Sequence, residues 1–267
     1  MIIFMARAGR LLFSCCLALG FKCIAQQPVS KAEKEQPYSL LLTAKFHSTG
    51  HSPFSGSYFN HHSNGEIGLL FKTKQIGASV TKNVDFADVH SALNYTTVGF
   101  FKSFQLNESV KLTPYVGYFF RQSHSFMDDN SDAWACVVAR LTINRWLAIE
   151  NSTLVGNLIR HNSKASLANR VNATMSIGKF KLDAYTWYTH SFNSASHFVS
   201  ASLAITSPDW TITQSISARV QVAVLQQISD EKPDGCMYRG GLISLIIPID
   251  LSINNCEKNS LGISKNQ

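Results

Sequence analysis

The chain has 267 residues, of which 15% are charged and 45% are hydrophobic, and its formal net charge is +7. No apolar run reaches the roughly 18 residues that a transmembrane helix needs, so the sequence predicts no helical span. Lysines and arginines form no run, and the positive charge therefore predicts no nucleic-acid partner.

The N-terminus has the pattern of a secretory signal peptide. Arg7 and Arg10 precede an apolar stretch over residues 11–21, which is too short to span a membrane. A small-residue pattern that ends at Ala25 predicts cleavage at that point, so that residues 1–25 are removed. Removal takes away three basic residues and no acid, which leaves a mildly basic mature chain.

Three of the six cysteines remain after the predicted cleavage, namely Cys136, Cys236 and Cys256. An odd number at wide spacing predicts no disulfide framework, and the absence of a CxxC pair predicts no zinc site. Cys136 is predicted to fill a strand position. No metal site and no cofactor are expected for the chain.

Residues 26–37 are polar and charged, and we predict a flexible periplasmic lead-in there. From Tyr38 onward, short stretches alternate apolar and polar residues, which is typical of strands with one apolar face and one polar face. A polar C-terminal tail over residues 253–267 follows the last of these stretches. The predicted strands are Tyr38–Thr49, Tyr58–Lys72, Gln75–Lys82, Ala92–Phe104, Val110–Arg121, Ala133–Asn144, Trp146–Asn157, Leu167–Ile177, Phe180–Tyr188, His197–Ile205, Trp210–Val224 and Met237–Leu251.

The connections between the predicted strands alternate between short turns and long polar loops. The short turns lie near Thr73, Asn107, Arg145, Lys179 and Pro208. Short turns on one side and long loops on the other are typical of barrels that cross the outer membrane. The sequence therefore predicts an all-β fold over residues 38–252, a transmembrane antiparallel up-and-down β-barrel of about twelve strands, with short turns and termini in the periplasm.

Two further patterns favour a membrane barrel over a secreted soluble β-protein that binds a partner, which is the alternative with the same period. Basic residues recur on the polar faces, where water in a lumen can solvate them: Lys111, Arg121, Arg140, Arg170, Lys181 and Arg219. Aromatic residues follow three short turns, as expected for an interfacial girdle: Trp146, Phe180 and Trp210.

The leader, the strand rhythm and segments such as Leu112–Phe120 (LTPYVGYFF) resemble outer-membrane β-barrel proteins of Gram-negative bacteria. The Asn/Ser-rich, low-charge style is most similar to those of Bacteroidota. The resemblance implies a monomer in the bacterial outer membrane, with outer-membrane lipids and the barrel-assembly machinery as partners. We expect a narrow channel or a surface or structural component without catalysis. The chain departs from many such barrels in its polar C-terminal tail.

One local motif resembles an enzyme signature. His61-x-Ser63-Asn64-Gly65 is similar to the HxSNG signature of outer-membrane phospholipase A and, more loosely, to the HxSN motif of lipid A 3-O-deacylases. This resemblance implies Ser63 as nucleophile, His61 as general base, and Asn64 and Gly65 near the oxyanion.

The spacing has a physical reason, because residues two apart on a strand point to the same side, where an imidazole can take a hydroxyl proton. His61 and Ser63 are then expected to face lipid near the outer rim. The spacing that supplies a third, orienting residue in those families falls on Gln75, across a short turn. A lipid acyl-ester hydrolase is therefore the alternative function, and calcium enters only with that alternative.

Overall fold

The computed structural model describes residues 38–52, 57–88, 91, 94–121, 131–159, 166–191, 197–230 and 239–252. The predicted signal peptide, the predicted lead-in and the C-terminal tail lie outside the described residues, as do Cys236 and Cys256. Within these ranges, no helix has the length and apolar character needed to cross a membrane.

Twelve long antiparallel strands form one closed barrel. Each strand pairs with its neighbours in sequence, and the last pairs with the first, from Leu41 opposite Asp250 to His47 opposite Ser244. The predicted all-β, twelve-strand barrel is confirmed. In chain order the strands are β1 Tyr38–His47, β2 Asn64–Thr73, β3 Ile76–Asp85, β4 Tyr95–Lys102, β5 Val110–Arg121, β6 Asp132–Asn144, β7 Leu147–Gly156, β8 Ser166–Ile177, β9 Phe180–Ser191, β10 His197–Thr206, β11 Ser217–Asp230 and β12 Arg239–Asp250.

The alternating sequence pattern becomes two faces of the barrel wall. On β2, Ile67, Leu69 and Phe71 are 58%, 39% and 41% exposed, although they are large apolar side chains. Glu66 and Lys72 alternate with them and point into the lumen. A soluble sandwich would bury such apolar side chains between two sheets, whereas a closed barrel in a membrane presents them to hydrocarbon.

Aromatic side chains lie at both ends of the apolar band. The residues predicted for the periplasmic girdle, Trp146, Phe180 and Trp210, are 47%, 49% and 53% exposed beside the short turns. A second set lies at the outer end, where Phe46 and Phe86 are 49% and 60% exposed. Trp side chains favour membrane–water interfaces, so Trp146 and Trp210 are consistent with an interface at the end with the short turns.

Two predicted strands are shorter than their sequence pattern indicated. The stretch predicted as Tyr58–Lys72 divides into a short strand, Ser57–Asn60, and β2, because Ser57–Asn60 pairs with Gly50–Ser52 as a small hairpin in the first outer loop. The long stretch that begins at Trp210 divides in the same way.

In that stretch, the Thr213 hydroxyl accepts the backbone N–H groups of Ser215 and Ile216, and this turn separates Trp210–Thr211 from β11. A side-chain acceptor that satisfies local N–H groups competes with strand pairing. The connection near Pro208 is therefore longer than the predicted tight turn. At the tight turn between β8 and β9, Gly178 adopts φ 60°, a left-handed conformation that glycine allows.

Candidate functional site

Five basic side chains face the lumen near its periplasmic end, and we call this set the basic ring. Its members lie on β2, β5, β6, β9 and β11, and they are Lys72, Lys111, Arg140, Lys181 and Arg219. Lys111 lies directly opposite Arg140 in the β5–β6 register. Lys72 and Arg140 both lie close enough to Lys111 to repel its charge. Like charges in directly opposite positions destabilise a sheet, so this pair does not stabilise the barrel wall.

The basic ring has little acidic compensation. Arg219 contacts Asp209 at 3.3 Å from the neighbouring turn, and Asp209 is itself 52% exposed. The remaining four members have no ion-pair partner among the residues that the structure describes. Asp183, one lumen position above Lys181 on β9, is buried and accepts a hydrogen bond from the Thr174 hydroxyl at 2.5 Å. Asp250, the last residue of β12, is a third acid near this end, on the lumen face and exposed. Five cations against three acids leave the periplasmic end of the lumen with a net positive charge.

Lumen-facing charges farther from the periplasmic end are paired instead. The Arg170 Nη2 atom donates to Glu150 Oε1 at 2.8 Å and to the Ser152 hydroxyl at 3.2 Å. The Lys45 ammonium and the Glu66 carboxylate form the second pair, between β1 and β2. The strand register places both pairs, since Lys45 lies opposite Glu66 and Arg170 opposite Ser152, one lumen position from Glu150.

A large aromatic side chain narrows the same level of the lumen. Trp187 on β9 is only 2% exposed, and its ring stacks on Tyr185 with centroids 5.2 Å apart. It lies opposite Arg170 in the β8–β9 register. An indole, a phenol and a guanidinium therefore occupy lumen space on one wall of the barrel.

Aromatic rings also cover the wall formed by β4, β5 and β6. The indole of Trp134 lies on two glycines: a Cβ at Gly117 would approach Trp134 Cζ2 to 2.5 Å, and one at Gly99 to 3.3 Å. Next to it, Phe101 and Tyr115 have ring centroids 4.9 Å apart. The glycines therefore let the rings lie flat against the barrel wall, because any side chain at these positions would displace them.

Acids at the outer end of the lumen support the loops. One carboxylate oxygen of Asp85 accepts the backbone N–H groups of Ala87 and Asp88 at 2.9 and 3.1 Å. Asp132 does the same for Ala133 and Ile159, at 2.6 and 3.0 Å. The lumen is therefore polarised along its axis, with structural acids at the outer end and free cations at the periplasmic end.

The predicted catalytic residues lie in the first outer loop. His61 and Ser63 are exposed and precede β2, so the strand parity that placed them together on the lipid face does not extend to them. The Ser63 hydroxyl donates to the Ser48 carbonyl at 3.4 Å. Asn64 is fully buried on the lumen side and donates to the Thr49 carbonyl at 2.7 Å. Gly65 begins the outward face of β2, under the ring of Phe86.

The catalytic roles of His61, Ser63, Asn64 and Gly65 stay a prediction. The imidazole nearest to a carboxylate in this loop is that of His62, whose Nδ1 atom lies 3.6 Å from Asp85 Oδ1. Among the described residues, no three His, Cys, Asp or Glu side chains are grouped as a metal site. Cys136 occupies a lumen-facing strand position and is buried, as predicted.

The predicted basic residues on the polar faces do face the lumen where their side chains are described, which is the case for all of them except Arg121. Sequence reasoning missed Lys72 and the two pairing acids, Glu66 and Glu150. The register between neighbouring strands could have revealed them. The residue that lies opposite a given side chain is known only when the alignment of the two strands is known.

Solved structures with the same architecture are outer-membrane channels. A NanC porin matches with a TM-score of 0.54 at 11% identity, over 79% of this chain and 98% of that chain. A KdgM porin in complex with disordered oligogalacturonate matches with a TM-score of 0.52 at 7% identity, over 79% and 98%. No protein-family profile and no curated protein sequence matches the chain. The chain therefore shares the fold of these outer-membrane channel barrels.

Proposed function

We propose that this barrel is a narrow outer-membrane channel, without catalysis, that favours anionic solutes. The observation that carries the proposal is the basic ring. Four of its five cations have no ion-pair partner in the described part of the chain, and Lys111 and Arg140 lie directly opposite each other. Rings of charged side chains select ions of opposite sign in pores.

The paired charges and Trp187 explain why the basic ring would act on solutes. Because Lys45–Glu66 and Arg170–Glu150 are ion pairs, each pair contributes little net electrostatic potential to the lumen around it. Trp187 restricts the passage there, so a solute passes close to the wall. At physiological ionic strength the screening length is about 8 Å, and a solute in a narrow lumen remains within reach of the ring.

Reversal potentials in planar bilayers test the proposal. With purified, detergent-folded protein and a ten-fold KCl gradient, we expect a reversal potential of the sign that indicates chloride preference. Replacing three ring members together (Lys111→Gln, Arg140→Gln and Lys181→Gln) should move that potential toward zero. The matched control is Lys102→Gln, because Lys102 lies near the same end but on the outer face, 5.1 Å from the ring of Phe104.

Each part of the proposal has its own contradicting outcome. A bilayer that stays silent with folded protein contradicts a channel. Conductance with cation preference, or with a reversal potential that the triple variant does not change, contradicts selection by the ring. Galacturonate and its oligomers serve as larger anionic probes, since oligogalacturonate is the compound named with the KdgM porin.

A lipid acyl-ester hydrolase is the second candidate. It rests on the HxSNG resemblance and on the position of His61 and Ser63, exposed in an outer loop where a lipid of the outer leaflet can approach.

The similarity to Bacteroidota barrels, carried by the Asn/Ser-rich strands, likewise remains part of the proposal.

A further inference from the structure

A hydrogen-bonded cluster of polar side chains lies on the lipid-facing side of β7 and β8. The amide groups of Asn151 and Asn169 donate to each other's carbonyl oxygens at 3.3 and 3.4 Å. The Thr153 hydroxyl accepts from Asn169 Nδ2 at 2.8 Å and donates to Asn151 Oδ1 at 3.3 Å. We call these three residues the amide patch. Their outward direction follows from Val171, which lies opposite Asn151 in the register and is 39% exposed.

The amide patch lies inside the apolar band. On the lipid-facing side of β7 and β8, the pair next to Thr153–Asn169 toward the outer loops is Val155–Leu167. The pair one step closer to the periplasm than Asn151 is Ile149 with Ala173. With about 3.3 Å per residue and a tilt of about 40°, Asn151 lies roughly 13 Å above the level of Trp146, near the middle of a band about 25 Å tall.

Hydrocarbon is an unfavourable neighbour for such a patch. Each Asn side chain carries two N–H donors and a carbonyl acceptor with two lone pairs, and the internal bonds leave part of this capacity unused. Lipid tails offer no partner for the remaining groups. A protein surface with its own amides and hydroxyls does offer partners, as polar side chains do between membrane-spanning segments.

Small and large outward side chains surround the patch, and Tyr188, opposite Asn169, is 39% exposed. Ala139 lies beside Asn151 on β6, and Ala173 lies opposite Ala184 on the next pair of strands. Three strands farther around the barrel, on β11, the outward Val224 is 59% exposed. Small residues beside polar ones are typical of contacts between membrane-spanning segments.

We propose that the amide patch is the contact through which two copies of this chain associate in the membrane. A two-fold contact brings the same surface of both copies together. Amide groups suit this arrangement because each one is both donor and acceptor, so a patch is complementary to itself. The proposal replaces the expected monomer and does not depend on channel activity.

Cross-linking in lipid vesicles tests the proposal. In a background without cysteine (Cys136→Ser, Cys236→Ser and Cys256→Ser), Thr186→Cys places a thiol beside the patch, since Thr186 lies opposite Val171 on β9 and is exposed. We expect a bismaleimide to link Thr186→Cys barrels about ten-fold more than Val224→Cys barrels at equal protein-to-lipid ratio. Equal yields at the two positions would overturn the proposal.

A second variant removes the patch itself. The replacement of Asn151 and Asn169 by Val in the Thr186→Cys background should lower the cross-linking yield by about ten-fold. Heat-dependent gel mobility verifies that the variant barrel is folded, and we expect it to fold because the substitutions replace polar groups by apolar ones on a lipid-facing surface. An unchanged yield in the folded double variant would contradict association through the patch, and so would a parent barrel that stays monomeric at high protein-to-lipid ratio.

Discussion

Two levels of the lumen treat charge in opposite ways. Farther from the periplasmic end, Arg170 is held by Glu150 at 2.8 Å, and Lys45 is held by Glu66. At the periplasmic end, Lys111 lies opposite another cation, Arg140. Paired charges satisfy each other and stabilise the wall, whereas like charges in register repel and leave their field available to a solute. The difference indicates that pairing, more than the number of charges, separates structural from functional residues in this barrel.

The largest expected effect comes from the constriction that adjoins the paired level. Trp187→Ala removes an indole that is 2% exposed, and we expect the free energy of unfolding to fall by about 3 kcal/mol. Single-channel conductance should rise because the passage widens. Trp210→Ala, on the outer surface, serves as the control and should leave conductance unchanged. If Trp187→Ala also leaves it unchanged, the constriction lies elsewhere.

The next effect breaks one pair. Arg170→Met leaves the Glu150 carboxylate without its partner in a partly buried position, and we expect a loss of about 1–3 kcal/mol in the free energy of unfolding. Adding Glu150→Gln should recover part of that loss. Lys181→Met, in the basic ring, should change stability by less than about 0.5 kcal/mol. Urea unfolding of barrels in vesicles measures all three, and equal losses for Arg170→Met and Lys181→Met would remove the distinction between the two levels.

A smaller expected effect is the dependence of anion preference on salt concentration. The screening length falls from about 30 Å at 0.01 M to about 3 Å at 1 M salt, so the anion preference of the unaltered channel should decline over that range. The paired level carries little net charge and should contribute nothing to the decline. Reversal potentials at several mean KCl concentrations, with a constant gradient, measure it. A preference that is independent of salt contradicts long-range selection by the ring.

The smallest expected effect concerns the outer loop. Ser63→Ala removes a hydroxyl whose described hydrogen bond, to the Ser48 carbonyl, is long at 3.4 Å. We expect unchanged conductance and no ester hydrolysis above the vesicle blank with either protein. Hydrolysis by the parent protein that disappears in Ser63→Ala would favour the hydrolase candidate instead.

Much of the wall could be predicted from the sequence. The strand Val110–Arg121 is predicted and observed with the same ends. Residues that face lipid alternate with residues that face the lumen over its whole length. The girdle at Trp146, Phe180 and Trp210 followed from the positions of the short turns. Prediction was less accurate at the two divided strands, where a local hairpin and the Thr213 hydroxyl compete with the barrel for backbone partners.

The candidate site could be predicted only in part. Basic residues on polar faces indicated a lumen with cations, but their partners depended on neighbouring strands. Arg170 and Arg140 look alike in the sequence, and one is paired within 2.8 Å while the other faces Lys111. The amide patch was not foreseen, since Asn151 and Asn169 are separated by a long outer loop in the sequence and come together only through strand pairing.

Within the strands that the structure also shows, the sequence by itself determined which residues share a face, because a strand alternates sides with every residue. Outside them, as at His61 and Ser63, the same rule did not apply. It also determined the direction of each strand, through the alternation of turns and loops. Only the tertiary structure decided the height of each residue along the axis and its partner across the strand boundary. Those depend on the register of twelve closed strands. The register decides which charged side chains form ion pairs and which stay unpaired in the lumen.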